Sequence, residues 1–172
     1  MQNMISIPFD LPDTNVKSTE IRNDGTILVR IEGTENGTLC SKCGKHIKKL
    51  YGHAPEREVR HTSALGAEVY ISFVPARFQC PNCEGNPTTV QRPSWLISGS
   101  SYTIPFEEHI LLQLINSTVE DVCIKENLGY DAVEGILDRH IDKKVNWDDI
   151  KSLPLIGVDE FSVKNGTKIS SL

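Results

Sequence analysis

Four cysteines stand as two short pairs, Cys40-Ser41-Lys42-Cys43 and Cys80-Pro81-Asn82-Cys83. A two-residue gap lets both thiolates of a pair face one ion, and two pairs complete the four-sulfur shell that structural Zn²⁺ prefers. Gly44 and Gly85 follow the pairs closely, where a knuckle needs a backbone position with positive φ. The rival chemistry is disulfide formation. A closed CxxC disulfide is strained, however, and a redox centre needs only one such pair. The two pairs are separated by 36 residues, more than a compact ribbon requires, so the intervening chain is expected to form strands that bring the second pair back to the first. His46 is near enough in sequence to replace a sulfur, but four cysteines suffice, and His46, His53 and His61 read as surface or core residues. Cys123, between Val122 and Ile124 in a helical pattern, reads as a buried, inert thiol.

The charge distribution points the same way as the sulfurs. The chain has 172 residues and a net charge of −5. Residues 1–39 carry three basic and six acidic side chains, residues 40–92 eight and four, and residues 93–172 seven and thirteen. Positive charge is therefore concentrated on the cysteine module, at +4, between two acidic flanks. Such a stripe suits phosphate contacts, with a solvated lysine-rich surface as the plain alternative. The candidates are Lys42, Lys45, Lys48, Lys49, Arg57, Arg60 and Arg77. No run of 18 apolar residues is present and the N-terminus lacks a signal-peptide pattern, so no membrane span is expected. Cysteines reserved for a metal fit a reducing cytoplasm.

The elements that must position these residues read as an α+β chain. Val16–Arg22 and Thr26–Glu32 flank the turn residues Asn23-Asp24-Gly25, the pattern of a hairpin. Short strands are expected at Ile47–Tyr51, Glu58–Thr62, Ala67–Phe73 and Ala76–Gln79, making residues 1–92 a mainly antiparallel, β-rich module stapled by metal because its apolar core is small. Residues 93–104 read as a polar linker. Residues 105–146 then show helical periodicity, with Phe106, Ile110, Leu111 and Leu114 on one face after Pro105. Ser117 with Glu120, and Asp131 with Glu134, have capping-box spacing for two further helices, separated by Leu128-Gly129. Helix, short glycine turn and helix is the helix-turn-helix plan, shared with plain three-helix bundles. The last helix has Arg139, Lys143 and Lys144 near its end as candidate DNA contacts, against Glu134, Asp138 and Asp142 along it. Residues 147–172 contain a buried-strand pattern, Leu155-Ile156-Gly157-Val158-Asp159-Glu160-Phe161, and a hairpin signal at Asn165-Gly166. Taken alone, the two carboxylates read as a strand exit.

In this order the parts resemble the DDE transposases of bacterial insertion sequences, specifically the ISL family, over essentially the whole chain. The segments Phe78-Gln79-Cys80-Pro81-Asn82-Cys83 and Gly157-Val158-Asp159-Glu160-Phe161 are the most specific parts of the likeness. The resemblance implies binding of double-stranded DNA at terminal inverted repeats through the zinc and helix-turn-helix modules. It also implies the first strands of an RNase H-like domain, with Asp159 as its first catalytic carboxylate. The chemistry of that domain uses two Mg²⁺ ions clamped by three carboxylates, and one carboxylate supplies too few ligands. Only 13 residues follow Asp159, so the expectation is an incomplete DDE domain without cleavage activity of its own, and Mg²⁺ is expected only for a complete one. Expected partners are DNA and a second copy or a full-length transposase, and the resemblance makes the expected compartment the cytoplasm of a bacterium, with association to the nucleoid. Two other functions fit the same residues: a stand-alone regulator of transposition, and a zinc-dependent protein-interaction module.

Overall fold

The computed structural model describes Phe9 and residues 11–141. The expected DDE segment with Asp159, and the candidate contacts Lys143 and Lys144, lie outside the described residues. Strand β1 (Thr14–Ile21) pairs antiparallel with β2 (Ile27–Gly33), and the Asp24 carboxylate closes the turn by accepting from the Thr26 backbone N–H at 3.0 Å. Strands β6 (Arg57–Ala64) and β7 (Ala67–Phe73) form a second hairpin through Leu65 and Gly66, both at positive φ. The two hairpins join through β2 and β7, which run parallel, giving a four-stranded sheet in the order β1-β2-β7-β6. A parallel pair needs a long crossover, and here the crossover contains half of a second structure. Strands β3 (Thr38–Leu39), β4 (His46–Ile47) and β5 (Lys49–His53) leave the sheet after β2, and β8 (Ala76–Gln79) and β9 (Thr88–Val90) leave it after β7. They form a two-stranded sheet β3-β4 and a three-stranded sheet β5-β8-β9. The long gap between the cysteine pairs thus contains the β6–β7 hairpin, inserted between the two halves of the ribbon.

The sheet has an apolar core of its own. Val29, Ile31, Val69, Ile71 and Phe73 pack on one face with Leu11, Trp95 and Leu96, and Phe73 meets Trp95 edge-on at 5.0 Å between ring centroids. The stretch read as a polar linker therefore places two large side chains in the core. Alternation along strands announced the sheet residues, whereas nothing periodic announces Trp95 and Leu96 because they sit in irregular chain.

Three helices follow: α1 (Ile104–Gln113), α2 (Val119–Glu126) and α3 (Tyr130–His140). Phe106, Ile110, Val122, Val133 and Ile136 form their shared core. Thr103, not Pro105, starts α1, its hydroxyl accepting from the Phe106 N–H at 3.4 Å. The cap of α2 is Thr118 with Asp121, one residue beyond the expected Ser117 and Glu120, and both halves of the capping box are made. Gly129 starts α3 with no side-chain cap, so Asp131 lies inside the helix rather than ahead of it. Among the described residues, no helix is long and apolar enough to cross a membrane.

The helices are fastened to the sheet. Tyr102 forms a parallel bridge with Arg60, whose N–H donates to the Ser101 carbonyl and whose carbonyl accepts from the Thr103 N–H, both at 2.9 Å. The His61 ring hydrogen-bonds the Thr103 hydroxyl at 2.8 Å, and Asn127, in the α2–α3 turn, donates to Glu68 at 3.1 Å.

Candidate metal centre

Each knuckle is a tight turn held by its own backbone. The Gly44 N–H donates to the Cys40 carbonyl at 2.9 Å, and the Lys42 N–H points at the Cys40 sulfur at 3.4 Å. In the second knuckle the Asn86 N–H donates to the Cys83 carbonyl at 3.1 Å. Gly44 and Gly85 take φ of 68° and 77°, the left-handed values expected of them. The strands then register the two knuckles: β8 runs straight into Cys80, and the Cys80 N–H is held by the Pro87 carbonyl at 2.9 Å.

The four sulfurs all lie within 4.8 Å of one another. Cys40 and Cys83 are 3.9 Å apart, Cys43 and Cys80 3.8 Å, and Cys80 and Cys83 3.7 Å. Zn–S bonds of about 2.3 Å place the corners of a regular tetrahedron about 3.8 Å apart. The donor set therefore fits a Cys₄ structural zinc site, and all four cysteines are free of disulfides. Cys40 and Cys80 are buried beside Ile47 and Phe78 in a small core, while Cys43 faces solvent. Backbone N–H groups of Cys43 and Lys42 draw the Cys40 thiol down to about 6. Hydrogen bonding to the Cys43 sulfur and burial push Cys83 up to about 12. Four sulfurs this close do not ionise together without a cation, and Zn²⁺ supplies the charge that holds them as thiolates. A full set of four thiolates leaves no position for a substrate, so the ion's part is structural. His46 is exposed and outside the tetrad.

The basic residues divide into two groups. Lys42, Lys45, Lys48 and Lys49 are all exposed on the ribbon. Arg57, Arg60 and Arg77 are more enclosed. Arg60, expected among the phosphate contacts, is 6% exposed, ion-paired to Glu68 at 3.4 Å and stacked 4.9 Å from the Phe106 ring centroid. It joins sheet to helices. Arg57 donates to the Ser100 carbonyl at 2.9 Å and lies over Phe73. Arg77 is half-buried, and its Nε has no hydrogen-bond partner. Arg139, expected as a groove contact, is committed to Glu107 at 2.6 Å.

Glu107 is the site residue that the sequence reading passed over. It is fully buried and accepts from Ser100 at 2.6 Å, Arg139 Nε at 2.8 Å and His140 at 2.6 Å. Burial alone would raise its pKa, but the hydrogen bonds from Arg139, Ser100 and His140 outweigh it and hold the carboxyl below its usual range. The signal was present: Glu107 lies three residues before Ile110 and four before Leu111, within the apolar face. Cys123 is half-buried against the same helical core.

Comparison with curated proteins and with solved structures gives no match. Residues 37–83 match the family model for the zinc-finger of transposase IS204/IS1001/IS1096/IS1165. The matched segment begins just before β3 and ends on the fourth ligand, Cys83, so the ribbon is of the kind carried by these transposases and supports a transposase N-terminal region.

Proposed function

We propose that this protein is the DNA-binding front of an insertion-sequence transposase, gripping the double-stranded ends of its element through the zinc ribbon. The observation that carries the reading is the transposase zinc-finger match coinciding with the segment that bears Lys42, Lys45, Lys48 and Lys49, all exposed. Zinc orders the knuckles, and the ordered knuckles hold the lysines at fixed positions for phosphate contacts. On this reading, helix α2, the turn Asn127-Leu128-Gly129 and α3 serve as a helix-turn-helix, a role supported by two consecutive short helices joined by a tight turn. Asp131, Glu134 and Asp138 are exposed along α3, so most of the electrostatic grip falls to the ribbon.

The test is binding to duplexes ending in the element's inverted repeat, measured across a salt series. Each neutralised phosphate contributes a slope of about −0.9 in log K against log salt, so replacing the four lysines by glutamine should flatten the slope by about 3 to 4. Absence of binding at low salt overturns the reading. A second reading, a zinc-dependent protein-interaction module, is favoured by the exposed acids Glu108, Glu120, Asp121, Asp131, Glu134 and Asp138 together with exposed Leu112, Ile115 and Ile124. Under that reading nucleic acid is ignored at any salt.

A further inference from the structure

Strand β8 carries two side chains with no evident work in the fold. Phe78 is 2% exposed in the metal core, so its neighbours Arg77 and Gln79 stand on the opposite face of the strand. Among the described residues neither side chain makes a hydrogen bond or ion pair, and the Arg77 Nε is sealed from water without a partner. Arg60 is the other arginine whose Nε lacks a partner, but it is ion-paired to Glu68, whereas Arg77 has no such pair among the described residues. Both side chains are half-buried among the rows across the sheet. Gln79 stands beside Lys49 on β5 and Thr88 on β9, while Arg77 stands beside Gly52, which has no side chain to cover it, and Val90.

We infer that the outer face of the three-stranded sheet β5-β8-β9 enters the DNA major groove and that Arg77 and Gln79, on its central strand, are the base-reading residues. The inference rests on the DNA-binding reading above and deepens it. Strands of a β-sheet can read base edges from a DNA groove. An arginine recognises guanine through O6 and N7, and a glutamine recognises adenine through N6 and N7. Alternate residues on an extended strand lie roughly 6.6–6.8 Å apart, which matches two base-pair steps of about 3.4 Å. Arg77 and Gln79 therefore read a guanine and an adenine two base pairs apart. Lys49, in the same row as Gln79, meets the flanking phosphate. Cys80 follows Gln79 directly, so the zinc site clamps the end of the reading strand and fixes the height of both side chains. Sequence preference, on this account, resides in the ribbon and not in the acid-lined α3.

The test is selection of bound sequences from a pool of duplexes with a randomised core, using the zinc-loaded full chain and its Arg77→Ala, Arg77→Lys and Gln79→Ala variants. Zinc content and melting temperature establish that each variant is folded. The expected result is a wild-type preference for guanine and adenine two base pairs apart. Arg77→Ala should erase the first preference and Gln79→Ala the second, each with roughly a tenfold to hundredfold loss of discrimination at its own position. Arg77→Lys keeps the charge, so it should retain the salt dependence yet lose the guanine preference. The inference is overturned if the variants select the wild-type sequence unchanged. It is equally overturned if Arg77→Ala weakens all sequences alike and Arg77→Lys restores them, since Arg77 would then be a phosphate contact. If the wild type binds no duplex at low salt, the DNA-binding reading fails and this inference with it.

Discussion

The zinc ribbon and the helical unit solve one problem with opposite signs. In the ribbon, four sulfurs, two of them buried, form the shell for a cation. In the helical unit, Arg139 and His140 surround the buried carboxylate of Glu107, joined by Ser100 from the segment leading into α1. Each region has a modest apolar core, with Cys40, Ile47, Phe78 and Cys80 in one and Phe106, Ile110, Val122, Val133 and Ile136 in the other. Each uses a buried charge to join pieces distant in sequence. The difference is where the countercharge comes from. The helical unit encodes its own, whereas the ribbon takes an ion from solution, so only the ribbon's stability is coupled to metal supply. Their surfaces differ as well: the ribbon exposes lysines, and the helices expose mostly acids.

The largest expected effect separates the two regions directly. A strong chelator, or Cys80→Ser, should unfold the ribbon, because structural zinc contributes on the order of 10 kcal/mol to such modules. Metal analysis should give one zinc per folded chain. Amide spectra should lose the signals of residues 38–53 and 76–90 while those of 104–140 persist. Simultaneous loss of both sets would show one cooperative unit and erase the contrast.

Glu107→Ala should strike the other region and spare the zinc. It leaves Arg139 and His140 facing an empty buried site, a change that costs about 3–5 kcal/mol when one partner of a buried pair is removed. Chemical denaturation followed by far-UV circular dichroism would measure it, with zinc content unchanged. The pH dependence has a definite sign. Glu107 is held below its ordinary value in the folded protein, so its contribution is fully present above the unfolded pKa of about 4.3. That contribution is lost as pH falls through the lower folded value. Acid should therefore loosen the helices of the wild type more steeply than those of Glu107→Gln.

Smaller effects refine the same picture. Thr118→Ala removes the capping box of α2 and should cost about 1 kcal/mol in thermal melts, whereas Ser117→Ala should cost less. Reversal of that order would move the cap back to the position expected from sequence. Leu65 sits at φ 53° and is 82% exposed in the β6–β7 turn. Leu65→Asn suits such a turn and should stabilise the sheet by roughly 0.5 kcal/mol without altering metal affinity.

The strands Ala67–Phe73 and Ala76–Gln79 were readable to the residue, because Pro75 and Cys80 cut the chain at their ends. The metal tetrad was equally readable, since ligand chemistry restricts residue type and spacing together. Harder to read were the two-residue strands β3 and β4, too short to show a period. The capping residue of α2 was displaced by one because Ser117-Thr118 and Glu120-Asp121 offer two boxes of equal spacing, and helix packing selects between them. The ion pairs of Arg60 and Arg139 were not legible for a related reason: composition counts charges but does not show which are paired.

Residue identity alone settled that four sulfurs would share an ion and that positive charge would gather around them, since both follow from local spacing and count. Which strands pair, and in which direction, was settled by folding: β2 meets β7 in parallel only because the first half of the ribbon is built between them. Burial likewise decided which cations serve the fold and which remain for a partner. A charge pairs with whatever the chain brings within a few ångströms, and that proximity exists only once the sheet, the ribbon and the helices have closed on one another.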